Sequence, residues 1–210
     1  MSLKPILDSL FKTPEAQDSL NFIRKFVSKS SSVLEFGCRG GITGIACLQG
    51  LMDGRNFAVP WKPRYVGIDL MNDESCHNLQ EIAKKMEISF QFLQIHSKDY
   101  PVHETDLFIW DSFHSGGNLL RDINRVEPYV QKYILVVGMK TFGLNSENKL
   151  RNLNSTEVAK ELDVPVTEVD LNLKEAVAKF LSVNSDWFMI QENHEIVALG
   201  RKTPAKTLFA

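Results

Sequence analysis

A chain of 210 residues, 43% hydrophobic and 24% charged, is long enough to build one domain around a substantial core. Its formal net charge of −2, with acids and bases interspersed, offers no field to attract a nucleic acid or a membrane surface. The three cysteines Cys38, Cys47 and Cys76 have no metal-ligand spacing and suit reduced thiols better than a disulfide framework. No apolar run approaches the roughly 18–20 residues that span a bilayer. The opening "MSLKPILDSLFKTPEAQ" lacks the apolar core and cleavage site of a signal peptide, so a cytoplasmic location is expected.

The first helix signal is "TPEAQDSLNFIRKFVSKS", where Thr13 can cap, Pro14 suits the first helical position and Glu15 the first turn. Leu20, Phe22, Ile23, Phe26 and Val27 follow at helical spacing. "SVLEFG" then reads as a strand, "ITGIACLQGLM" as a helix, and "RYVGIDL" as a second strand ending in a carboxylate. "DESCHNLQEIAKKMEI" is an amphipathic helix opened by Asp73 or Glu74, "SFQFLQI" a third strand, and "TDLFIWD" a fourth that again ends in an acid. "GGNLLRDINRVEPYV" is helical to about Glu127, and "KYILVVG" is a fifth strand.

The runs "VLEF", "LFIW" and "YILVV" are nearly continuously apolar, the pattern of parallel strands covered on both faces. A polar stretch over 144–171 carries one short helix from about Ser155 and is either a lid on the ligand side or an insertion. "LKEAVAKFLSVNS" is a helix, and "WFMIQENHEIVALGRK" two strands about a turn near Glu192–Glu195. The expected fold is α/β: a Rossmann-like, doubly wound, mostly parallel seven-stranded sheet with an antiparallel C-terminal hairpin and helices on both faces. It occupies 1–210 as one domain, with a helical segment at 1–30, a core at 33–138, and the closing helix and hairpin at 172–202. The tail from Thr203 is expected to fray.

In an open α/β sheet, ligands bind beyond the carboxyl ends of the strands, where strand order reverses. Gly37, Gly40 and Gly41 sit in the first such turn, where glycine permits a sharp bend and a close ligand. The second strand ends at Asp69, placed to take both hydroxyls of a ribose. "GGITG" lacks the lysine and hydroxyl of a phosphate-binding loop, and the glycine spacing departs from a dinucleotide fingerprint. Glu35, just before the turn, would repel a pyrophosphate but suits an ammonium. S-adenosylmethionine has an ammonium, a sulfonium and a ribose without a phosphate, so charge favours it over a nicotinamide dinucleotide.

Through Glu35, Gly37 and Gly41 in "EFGCRGG", and through Asp69, the chain resembles class I S-adenosylmethionine-dependent methyltransferases. "DLFIWDSFHSGGNLLRDINRVEPYVQKYILVVGMKTFG" and the closing "LKEAVAKFLSVNSDWFMIQENHEIVALGRK" resemble, more narrowly, the cephalosporin hydroxylase-like and macrolide-sugar O-methyltransferase group. The resemblance covers roughly 33–202 and implies methyl transfer to a small-molecule hydroxyl, on a sugar or a related metabolite. It implies Glu35 at the cofactor's amino group, directly or through water, Gly37 and Gly41 along the methionine part, and Asp69 at the ribose. Ser97 and Asp99 would lie beside the adenine, unless Asp99 is a solvated loop acid.

After the fourth strand, His114 is the natural base, with Asp111 to orient it; the alternatives are that either merely caps the helix near Ser115. Trp110 could stack on a ligand or pack in the core. The group's aspartate after strand five, which helps hold magnesium in the macrolide-type enzymes, is replaced here: the chain reads Val137-Gly138-Met139. Asp111 alone would make a poor divalent site, so no metal is expected. The same departure keeps open a catalytically silent module that binds the cofactor or a partner, and a nicotinamide-dependent oxidoreductase is the third reading. A small-molecule acceptor is the expected partner, with a homo-oligomer left open.

Overall fold

The structure, a computed structural model, describes residues 13–38, 42–55, 62–72 and 74–203. Helix α1 (Pro14–Val27) starts where the sequence signals it, with the Thr13 side chain accepting from the Ala16 N–H at 3.2 Å. Its apolar stripe of Leu20, Phe22, Ile23, Phe26 and Val27 is buried, and α1 packs on α2 (Ile42–Asp53). Between them runs strand β1 (Ser32–Phe36). β2 (Arg64–Asp69), α3 (Glu74–Lys85) and β3 (Ser89–Gln94) follow, then a single turn of 3₁₀ helix at Ser97–Asp99.

β4 (Thr105–Trp110), α4 (Gly116–Val126) and β5 (Val130–Val137) complete the parallel part. The seven strands are ordered β3-β2-β1-β4-β5-β7-β6, where β6 is Trp187–Glu192 and β7 is Ile196–Arg201. β7 runs antiparallel to both β5 and β6, and the other neighbours pair in parallel. This is the doubly wound, Rossmann-like sheet with an antiparallel closing hairpin that the apolar strand runs imply.

Those runs are almost wholly apolar because both faces are covered, with Glu35 the buried exception. Val33, Leu107, Ile109 and Leu135 join one buried cluster with α1, α2 and α3; Leu34, Phe108, Trp110 and Val136 join another with α4 and α9 (Leu173–Val183). α9 opens on a capping box formed by Asn172 and Glu175.

The polar stretch holds more helix than its sequence suggests. α5 (Met139–Phe142) precedes it, and it contains α6 (Glu147–Leu150), α7 (Ser155–Leu162) and α8 (Val166–Val169). α7 begins at the expected Ser155. α6 and α8 are single turns, too short to display a hydrophobic period.

One buried acid ties these parts together. Asp122 of α4 is fully buried and accepts from Trp110 Nε1 at 3.1 Å, from Ser97 Oγ at 3.2 Å and from Arg121 Nη2 at 2.6 Å. Arg121 also donates to the carbonyl of Leu162, fastening α7 to the sheet layer. Asp122→Ala takes the carboxylate from Arg121 and leaves the indole N–H without its acceptor. It should cost about 3–5 kcal/mol, the usual loss on breaking a buried pair, read as a lowered urea midpoint.

Candidate functional site

Strand order reverses between β1 and β4, which lie side by side and in parallel. Their carboxyl ends open into a cleft of about 520 Å³, within the roughly 300–1,000 Å³ usual for small-molecule sites. Gly37 and Asp69 line one side, Asp111 and His114 the floor, and Arg151, Leu153 and Leu162 of the polar stretch the far wall.

Gly37 adopts φ +88°, in the region that favours glycine. Its N–H donates to Ile68 O at 2.8 Å, while the Asp111 N–H donates to Phe36 O at 2.8 Å. A Cβ on Gly37 would lie 1.9 Å from the Asp111 carbonyl oxygen. The chain's own backbone therefore demands glycine at 37. Gly41, the other glycine assigned to the methionine part, lies with Gly40 outside the described residues.

Asp69, at the end of β2, is half-buried on the cleft wall, and its Oδ1 accepts from the Met71 N–H at 2.9 Å. Glu35 is not on that wall. It points to the α1–α3 side of the sheet, is 1% exposed, and accepts a short hydrogen bond from the Tyr65 hydroxyl. Burial, reinforced by the nearby charges of Asp111 and Asp69, outweighs the Tyr65 hydrogen bond and pushes the Glu35 carboxyl up to about 8. A direct contact with a ligand ammonium is therefore not what the structure offers. Cys38 sits beside the same hydroxyl at 3.3 Å, and burial foremost pushes its thiol far up, leaving it inert.

Ser97 lines the cleft, but its hydroxyl is spent on Asp122 and Arg121. Asp99 departs from its expected place: it is exposed and off the cleft wall. The 3₁₀ turn, capped by His96 Nδ1 accepting from the Lys98 N–H, carries it to solvent. Trp110 is fully buried in the core and bonded to Asp122, so it does not face a ligand.

The floor is a cluster around His114. Nδ1 lies 3.3 Å from Glu147 Oε2, and Nε2 lies 3.3 Å from Asp111 Oδ1. The latter is an ion-pair distance without hydrogen-bond geometry, and Nε2 is closed to solvent. The ring stacks on Phe142 with centroids 4.3 Å apart and meets Trp110 edge-on at 5.6 Å. Gly138 makes room for it: at φ +94°, an added Cβ would lie 2.5 Å from Nε2. Burial lowers the imidazole, but the close carboxylates of Asp111 and Glu147 prevail and raise it to about 9. At neutral pH the ring is an imidazolium between two carboxylates, not a free base.

Ser115, not Asp111 or His114, caps α4, accepting from the Asn118 N–H at 3.2 Å. Among the described residues, no group of three or more His, Cys, Asp or Glu side chains is arranged to hold a metal ion. The sequence places the 144–171 stretch on the ligand side as a candidate lid, and the stretch does line the cleft from Arg151 to Leu162, but Glu147 is not singled out in it. Nothing local in "NSENKL" announces a carboxylate that reaches back 33 residues to His114.

No protein-family model matches the chain, and no curated protein matches it in sequence. Solved structures do. TomG, an O-methyltransferase from Streptomyces achromogenes involved in tomaymycin synthesis and crystallised with S-adenosylmethionine, superposes with a TM-score of 0.53 at 15% identity, over 92% of this chain and 82% of that one. An O-methyltransferase from Bacillus cereus, in complex with S-adenosylhomocysteine, gives 0.52 at 12% identity over 94% and 96%. The magnesium protoporphyrin IX methyltransferase of Synechocystis, also with S-adenosylhomocysteine bound, gives 0.55 at 15% over 88% and 82%. The fold is thus the α/β fold that these methyltransferases share.

Two outcomes test this geometry. Gly37→Ala, forced against the Asp111 backbone, should lose about 2–4 kcal/mol of stability or fail to fold, in the upper range of single substitutions. Glu35 carries the second. Its folded value of about 8 exceeds the ordinary 4.5, so the folded state keeps a proton that the unfolded state has released. Stability should fall as pH rises between those values and level off above them. His114, raised from 6.5 to about 9, adds stability fully present below 6.5 and lost through 9. Denaturation midpoints of Glu35→Gln should therefore fall less between pH 4.5 and 8 than those of the unaltered chain.

Proposed function

We propose that the chain is an S-adenosylmethionine-dependent methyltransferase acting on a small-molecule hydroxyl, a sugar or related metabolite being the acceptor class suggested by its resemblance. The observation that carries this reading is the meeting of the Gly37 turn, the Asp69 carboxylate and Asp111 in one cleft at the point where strand order reverses. The fit is electrostatic as well as spatial. Asp69 and Glu161 bring carboxylates to the cleft beyond those paired with His114, which suits a cationic nucleoside without phosphate. Leu70, Met71, Ile95 and Phe113 supply apolar surface beside Asp69 for a base. The S-adenosylmethionine bound in one of the similar structures and the S-adenosylhomocysteine bound in another support the same reading by analogy.

In this reading Asp69 accepts from the ribose hydroxyls, Gly37 and Gly41 border the methionine part, and Ser97 sits at the adenine end. Glu35 acts from beneath the turn, through an intervening group. When bound, the donor supplies an electrophilic methyl for in-line displacement by the acceptor oxygen.

The acceptor's proton must go to a group on the cleft floor. His114 has no open nitrogen, whereas the Asp111 side chain is 27% exposed and lies on the cleft. We therefore assign proton acceptance to Asp111, with the adjacent imidazolium of His114 holding it in place. The reaction needs no metal in this scheme. The buried cysteines, none in a disulfide, suit a reducing cytoplasm.

Calorimetric titration tests the assignment. S-adenosylmethionine and S-adenosylhomocysteine should bind and NAD should not, and Asp69→Ala should weaken both by about tenfold or more, about 1.4 kcal/mol. Asp111→Asn should keep the affinity for S-adenosylhomocysteine while slowing transfer of labelled methyl to hydroxylated acceptors by about 10²–10⁴. Binding of NAD with none of the methyl donor would refute the reading.

A further inference from the structure

The polar stretch after β5 does more than wall the cleft. Glu147 Oε2 accepts from the His114 backbone N–H at 2.9 Å and lies 3.3 Å from its Nδ1, while the Glu147 N–H donates to the His114 carbonyl at 2.8 Å. Its other oxygen, Oε1, sits 3.3 Å from Arg151 one helical turn on. Main chain and side chain are both engaged, in both directions, so α6 cannot move without releasing the ring. Ser146, fully buried, caps α6 by accepting from the Lys149 N–H at 3.3 Å. Asn148, also buried, donates to Ser155 Oγ at 3.0 Å and to Asp170 at 2.6 Å, fixing α6 to the rest of the stretch.

We propose that Glu147 is a positioning residue of the site: from the segment after β5 it fixes the ring plane and protonation of His114, and through that ring the Asp111 carboxylate. What it positions rests on the methyltransferase reading; that it positions His114 does not. The logic is that of a base oriented by a third group, with the roles rearranged. Here the terminal carboxylate meets the substrate, the imidazolium stands in the middle, and the second carboxylate locks the imidazolium in place.

The charges around the ring are consistent with this. Asp111 and Glu147 flank it. Glu195, from the turn before β7, and its neighbours Lys140 of α5 and His194 are further titratable or charged groups at this site. Glu195 is itself held above the ordinary carboxylate range, by burial first and by Asp111 next. The Glu147 carboxyl is held below that range, chiefly by its hydrogen bond with His114. A neutral imidazole donating through Nδ1 to Glu147 would turn a bare lone pair on Nε2 toward Asp111, which is why the protonated ring is the one that fits.

The test is an NMR titration of the five histidine rings, with His114 assigned by its disappearance in His114→Asn. In the unaltered chain the His114 transition should lie near 9. In Glu147→Gln, which keeps an oxygen to accept from the backbone N–H but drops the charge, it should move down toward the ordinary ~6.5. The pH dependence of methyl transfer should shift with it. Affinity for S-adenosylhomocysteine should not change, since Asp69 and Gly37 are untouched. A His114 transition that stays put in Glu147→Gln overturns the proposal. So does a transition at or below 6.5 in the unaltered chain, which decides the matter even if the variant does not fold. Failure of S-adenosylhomocysteine to bind the unaltered chain would instead strike at the methyltransferase reading and leave the His114 result to be judged alone.

Discussion

The site is built around the contact between the carboxyl ends of β1 and β4. Phe36 and Trp110 are register partners, and the chain crosses from strand to turn at Gly37 and Asp111 at the same level of the sheet. Gly37 swings to a positive φ so close to the Asp111 carbonyl that even a methyl group has no space. That contact fixes where each strand ends and hence where the cleft opens. It also sets the direction in which Asp111, Ser112 and His114 leave the sheet. The central parallel strands β1 and β4, buried on both faces, supply the rigidity, because they have no free surface on which to slide.

From that contact the functional groups fall into two layers. Asp69 and the Gly37 turn belong to the β1–β2 half of the sheet and form one side of the cleft. Asp111 and His114 belong to the β4 end and depend on a second set of supports: the glycine at 138 that admits the ring, the Phe142 face beneath it, and Glu147 behind it. The first layer is furnished by backbone geometry, the second by side-chain electrostatics. A cation held between carboxylates lets acids gather in a partly buried place, where alone they would repel one another and take up protons. Glu35 shows the alternative. Without a cation at hand, it answers burial by holding its proton, bonded to Tyr65.

This division explains which residues announced themselves. Asp69 was legible because a carboxylate closing an apolar strand has little reason to be there except at a strand end facing solvent or a ligand. Gly37 was legible as a bend beside a ligand, and the structure adds a second demand for glycine there, the nearby Asp111 carbonyl. Asp99 and Asp69 look alike as acids just after strands. Only the 3₁₀ turn at Ser97–Asp99 decides that one faces the cleft and the other the solvent. Trp110 looked like a ligand platform or a core residue, and the buried Asp122 on α4 settles it as core.

The sequence by itself determined the seven strands and the longer helices between them, the burial of the central strands on both faces, the capped start of α1 and the places where the chain turns. Each of these is a local matter of periodicity, turn chemistry and apolar runs. The tertiary structure alone decided that Glu35 lies beneath the site rather than in it, that His114 is a closed, charged ring, and that Glu147 belongs to the floor. Those outcomes depend on distances across 30 or more residues of chain and on the desolvation of charge. Neither has a signature in any short window of sequence, because the energy that sets them arises only once separate segments exclude water from one another.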